Sequence, residues 1–150
     1  MALRNAKTTE ITFWLEWAGE KLLSSPISRP GPKQPRALWP DFPGDALLAY
    51  GYNNAQIRPA APAIYELKLI DEILVLPQLI SNITSRRIVY ARSLRAPLTQ
   101  RYIFTWSKLA RNLSCDRRAV MRWYNEGVGE IARAIPSEQV RNIREFFAAV

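Results

Sequence analysis

The chain has no histidine and only one cysteine, Cys115, in 150 residues. Without histidine there are no imidazole acid/base pairs, no Cys–His nucleophile and none of the usual zinc ligand sets. With one cysteine there is no internal disulfide, which agrees with a reducing cytoplasm. Carboxylates cluster only at Asp71-Glu72. Adjacent residues of a helix diverge by about 100° and do not converge on one ion, so this pair reads as a solvated edge. No apolar run approaches the ~18 to 20 residues of a membrane span, and MALRNAKTTE lacks the apolar core of a signal peptide. The expectation is a soluble, cytoplasmic protein that is not an enzyme and has no metal, no cofactor and no membrane contact.

What is abundant is positive charge, and it is unevenly placed. Residues 1 to 83 hold eight basic and eight acidic side chains, whereas residues 84 to 150 hold thirteen and five, so the whole excess of +8 lies in the second part. A basic half of this kind is the electrostatic footprint of a polyanion partner, although charge that merely keeps a helical protein soluble would look similar.

That half contains TWSKLARNLSCDRRAVMRWYNEG, Thr105 to Gly127, which reads as a helix-turn-helix. Thr105 caps a first helix, Ser114 and Cys115 turn, and Asp116 caps a second helix at the positive end of its dipole. Leu109, Leu113, Cys115, Val120 and Trp123 are the inward positions, and Ala110 sits where the helices cross closely. Arg117, Arg118, Met121 and Arg122 then face outward on the first two turns of the second helix. Arginine pairs in fork geometry with guanine edges and also reaches phosphate oxygens. Double-stranded DNA is therefore the expected partner, with this outward set toward it.

Around this motif the pattern is helical. TTEITFWLEWAGEKLLS predicts a helix over 8–24, capped by Thr8 or Thr9, with Ile11, Trp14, Leu15, Ala18 and Leu22 as its buried stripe. Six of the eleven prolines lie between Pro26 and Gly51. They preclude a helix or a central strand there. Trp39, Phe42, Tyr50 and Tyr52 are interleaved with them, so the stretch is expected to lie over the helical body or to contact a partner, a polyproline ligand being the sharper alternative. Pro62 leads into a helix with Ile64, Leu67, Ile70, Ile73 and Leu74 inward, which Pro77 ends or kinks. A further helix from Thr84 or Ser85 should bury Ile88, Val89, Ala91 and Leu94 and expose Arg86, Arg87, Arg92 and Arg95. Tyr102 and Phe104 should pack beneath the motif. VGEIARAI continues the second motif helix despite Gly127 and Gly129, each costing ~1 kcal/mol against alanine. After Pro136 a last helix carries Val140, Ile143, Phe146 and Phe147, as a clamp on the body or a dimer seam. The fold class expected is all-α. Residues 1–62 would form an N-terminal helix and Pro/aromatic-rich extended segment, and residues 63–150 the helix-turn-helix domain with its C-terminal helix.

The segment from Leu79 to Ile131 resembles the fourth conserved region of bacterial sigma factors, the module that reads the upstream promoter element. Its parts are SRRIVYARSL, the loop RAPLTQRYIF and TWSKLARNLSCDRRAV. The resemblance implies that Arg117, Arg118, Met121 and Arg122 face promoter bases and that Thr105, Ser107, Lys108 and Arg111 lie near phosphates; Met121 departs from the family, which carries a polar reader there. WLEWAGEKL, ALWPDF, AYGY, RPAAPAIYELKLIDEIL, RRIVYARSL and RRAVMRWY, in that order, are similar to a domain of alphaproteobacterial prophage-like elements that includes sigma-like activators of gene transfer agent clusters. This implies a nucleoid-associated transcription activator that contacts RNA polymerase, with a second DNA-binding activator as a further partner. No segment resembles the promoter-melting region of complete sigma factors, so strand opening would be left to the polymerase holoenzyme. Two rivals are a DNA-recognition subunit like the small subunit of a phage terminase, which predicts a ring oligomer, and a DNA-rearranging enzyme, for which 104 residues before the motif leave little room.

Overall fold

The computed structural model describes residues 2–25 and 59–149, with side chains from Lys7 onward in the first stretch. These residues form α1 (Ala2–Ser24), α2 (Ile64–Val75), a 3-10 turn (Leu76–Leu79), α3 (Ile83–Ser93), α4 (Trp106–Asn112), α5 (Arg117–Ala134) and α6 (Ser137–Ala149). The class is all-α, and among the described residues the only extended pairing is an isolated bridge between Arg95 and Tyr102. The Pro-rich stretch and its Trp39, Phe42, Tyr50 and Tyr52 lie outside the described residues.

Helix α1 begins before the expected threonine caps, so Thr8 and Thr9 are interior helical positions. Ile11, Trp14, Leu15 and Ala18 are buried, as the spacing requires, whereas Leu22 is 39% exposed because the stripe runs out at the last turn. In α2 the buried residues are Leu69, Ile70 and Ile73, while Ile64 and Leu67, expected inward, are 84% and 42% exposed. The helix is apolar around most of its circumference, and its neighbours select the stripe. Its first turn is held by Glu66, which accepts from the Ala63 N–H at 2.7 Å and from Lys21 Nζ at 2.8 Å. Pro77 lies buried in the 3-10 turn that follows. Asn82, rather than a later residue, caps α3 by accepting from the Thr84 and Ser85 amides at 2.8 and 3.4 Å.

The described residues form two apolar cores. The larger gathers Ile11, Trp14, Leu15 and Ala18 of α1 with Leu69, Ile70 and Ile73 of α2, Val128, Ile131 and Ala132 of α5, and Val140 and Ile143 of α6. Helix α1, from the expected 1–62 segment, thus shares one core with helices from the 63–150 segment. The smaller core is Ile88, Leu109, Ala110 and Val120, closed by Phe104, Trp106, Cys115 and Trp123. Tyr124 packs against both. At ~27 Å, α5 is long enough to span the two. Helix α6 is a clamp: Phe147 meets Phe13 and Trp17 edge-on at 5.3 and 5.1 Å, and Arg144 pairs with Glu10 at 2.7 Å.

Candidate nucleic-acid interface

The unit formed by α4 and α5 is defined by its ends. Thr105 Oγ1 accepts from the Lys108 amide at 3.3 Å, capping α4. Helix α4 stops because Ser114 adopts a positive φ of 50°. The Cys115 amide donates to Ala110 O at 3.0 Å and the Ser114 amide to Arg111 O at 3.2 Å, so two otherwise orphaned carbonyls are satisfied. Asp116 Oδ2 then accepts from the Arg118 amide at 3.2 Å and opens α5. These are the caps and turn the residues call for. Val120 is fully buried, Leu109 and Ala110 are buried, and Trp123 and Cys115 are partly buried against them. Leu113, expected inward, is 37% exposed. As the last residue before the left-handed Ser114 it is carried off the buried face.

Arg117, Arg118, Met121 and Arg122 are all exposed on the first turns of α5. Among the described residues the side chains of Arg117, Arg118 and Arg111 have no ion pair, and Arg122 has a long one with Glu126 at 3.9 Å between two exposed groups. Such a pair holds ~0–1 kcal/mol and yields readily to a stronger anion. Glu126 and Glu130 line the same stretch of α5, whereas two carboxylates of α1 are held within the fold. Glu16 accepts from Tyr102 Oη at 2.6 Å and pairs with Arg95 at 3.0 Å, and Glu20 accepts from Gln100 Nε2 at 2.7 Å. Glu130 accepts from the Ser81 amide and hydroxyl, both at 2.9 Å, and these bonds hold its carboxyl below its ordinary pKa.

Of the four residues expected near phosphates, Thr105, Ser107, Lys108 and Arg111 are exposed and lie on α4 or its cap. Thr105 is already spent in part as a cap. Lys108 folds back, with Nζ 4.8 Å from the Phe104 ring centre and 3.5 Å from Ile103 O. A groove of about 750 Å³ continues along α5 past Arg118, Met121 and Arg122 to Asn125, Gly129 and Arg133. Asn125 and Gly129 were not singled out from sequence; they extend the outward face by helical spacing.

One expected surface residue is inside. Arg92 is 9% exposed, and its guanidinium lies 3.3 Å from the Tyr102 ring centre and 4.2 Å from that of Trp106 while donating to Phe104 O at 3.0 Å. It is a spoke joining α3, the loop and α4, not an outward charge. Arg95, also expected outward, is half-buried on Glu16, and Arg86 is half-buried on Ile80 O at 2.7 Å. The aromatic run YIFTW was the available signal, since closely spaced rings make a seat for a cation: Tyr102 and Trp106 take Arg92, and the Phe104 ring takes Lys108. Burial lowers the pKa of Arg92 and raises that of Tyr102, whose bond to Glu16 raises it further. Burial also raises Tyr124. An arginine lowered from so high an ordinary value still keeps its charge at neutral pH.

The described residues include no group of His, Cys, Asp or Glu able to hold a metal ion, and no helix long and apolar enough to cross a membrane. No family model, curated protein or solved structure matches the chain. The residues of the two-helix unit therefore carry the functional reading by themselves.

Proposed function

We propose that this protein is a sequence-specific DNA-binding transcription activator in which α4 and α5 act as a helix-turn-helix. The observation that carries the reading is the exposed set Arg117, Arg118 and Arg122 on the first two turns of a capped helix whose opposite side is buried through Val120. In this reading α5 enters the major groove, these arginines and Met121 meet base edges, and Thr105, Ser107, Lys108 and Arg111 lie along the phosphates. Lys108 first leaves the Phe104 ring, an exchange of one weak cation contact for a phosphate. The sigma-like assignment, with RNA polymerase as the second partner at phage-like promoters, rests on the resemblance and is supported by the element order: α3, a loop tied to α1, a short helix, a turn and a long helix.

The test is fluorescence anisotropy with duplex DNA selected from random sequence, at several salt concentrations. Single alanine changes at Arg117, Arg118 and Arg122 should each cost about 1 to 3 kcal/mol. Each arginine that touches only phosphate should lower the slope of log affinity against log salt by about one when removed. A triple variant that keeps its helical content and still binds as tightly as the parent refutes the assignment. Co-purification of polymerase subunits after nuclease treatment tests the sigma-like part separately.

A further inference from the structure

A second groove, distinct from the arginine face of α5, lies on α3. Arg87, Tyr90, Ala91 and Leu94 follow one another at helical spacing along its floor, with Leu22, Leu74 and Phe104 as walls; it holds about 450 Å³ and is open along one side. Its hydrogen-bonding groups are spent within the fold. Tyr90 Oη donates to Leu74 O at 2.7 Å, and Ser93 Oγ donates to Tyr90 O at 2.7 Å. What remains for a visitor is apolar surface and one cation, because Arg87 is exposed and has neither ion pair nor hydrogen bond among the described residues.

We infer that this groove docks a short acidic, aromatic- or leucine-bearing segment of a partner protein, its apolar side chains lying between Leu22, Leu74 and Phe104 and a carboxylate on Arg87. Charge and shape decide the class together. A visitor that offered hydrogen-bonding groups to the floor would lose its water shell without replacement, so the buried part must be apolar. The unpaired guanidinium selects a carboxylate beside it. A small amphiphile needs an enclosing pocket to bury most of its surface, and this groove is open. A peptide continues past the open side and needs no enclosure. From Arg87 to Leu94, just past the end of α3, the floor runs seven residue steps, ~10 Å, which accommodates two large side chains. Phe104 also belongs to the core under α4, so the visitor touches a ring that supports the arginine-bearing unit.

The experiment uses the full chain and a short fluorescein-labelled peptide with two Leu-Phe pairs separated by aspartates. Anisotropy should show saturable binding. Leu22→Glu, at an exposed wall position, should weaken it about tenfold, and Arg87→Glu roughly fivefold, with helical content and thermal midpoint unchanged. A peptide with lysines in place of the aspartates should fail to bind. The inference is overturned if no saturable binding is seen. It is also overturned if both variants bind like the parent, or if the lysine peptide binds as well. The DNA-binding reading stands or falls separately, since neither variant touches the arginine face of α5.

Discussion

Three helical glycines meet three different surroundings, so one substitution made at each reads the packing directly. Replacing glycine by alanine inside a helix gains about 0.5 to 1 kcal/mol when nothing else changes. At Gly129 a methyl group would meet nothing within 4 Å. Gly129→Ala should therefore raise stability by that amount and the thermal midpoint by ~1 to 4 °C. At Gly127 the methyl would stand 3.2 Å from both Ile80 Cδ1 and Val89 Cγ2. The isoleucine tip can swing, but the β-branched valine on α3 is stiff, and overpacking of this kind costs about 1 to 3 kcal/mol. The net effect should be a loss of up to about 2 kcal/mol. At Gly19 the methyl would collide with the carbonyl of Ser93, which is backbone and cannot rotate away. Helices α1 and α3 would have to separate, so the loss should exceed about 2 kcal/mol after the helical gain. Urea unfolding followed by tryptophan fluorescence and circular dichroism measures all three. The expected order of stability is Gly129→Ala, then Gly127→Ala, then Gly19→Ala. If Gly19→Ala proves as stable as Gly129→Ala, the packing of α1 on α3 is wrong.

Other perturbations follow from single contacts. Ser114 adopts a left-handed conformation that an L side chain disfavours, so Ser114→Gly should stabilise the fold by about 1 kcal/mol in the same urea titration; a loss of stability would contradict the turn. Arg92→Met keeps most of the volume but removes two ring contacts and leaves Phe104 O without its donor. A loss of about 2 to 4 kcal/mol is expected, and Arg92→Lys should recover less than half of it, because an ammonium cannot stack between two rings. Glu66 has its pKa lowered chiefly by the hydrogen bond from Lys21. A carboxyl depressed in the folded state contributes stability at neutral pH, and that contribution is lost as pH falls through and below the ordinary glutamate range. Lys21→Met should flatten this acid-side dependence in urea titrations at a series of pH values, and an unchanged profile would show that the pair carries no linkage.

How much of this was readable beforehand depends on how local the cause is. The caps at Thr105 and Asp116, the turn at Ser114 and Cys115, the end of α5 before Pro136 and the outward set Arg117, Arg118, Met121 and Arg122 each follow from a few neighbouring residues, and each stands where spacing puts it. The errors at Arg92 and on α2 concern residues whose environment is made by distant chain, whereas Leu113 is turned outward by its own neighbour Ser114. Arg92 looks like a solvent-facing residue within SRRIVYARSL, and becomes buried because the loop bridge between Arg95 and Tyr102 brings the Tyr102 and Trp106 rings over it. Asn125 and Gly129 continue the helical spacing of Arg118 and Arg122, but neither carries a charge that would mark it as part of that face.

From the chain alone came the helical class, the positions of most helix ends, the concentration of positive charge in the second half and the two-helix unit that displays it. These rest on capping, turn chemistry and periodicity, which act over a few residues. Which apolar residues of α2 are buried, that Glu16 and Glu20 are drawn onto the loop, and that Arg87 is left unpaired beside an apolar groove were decided only by tertiary packing. A residue's own neighbours determine what it can do within one turn, but its burial and its charge partner depend on which distant element arrives beside it.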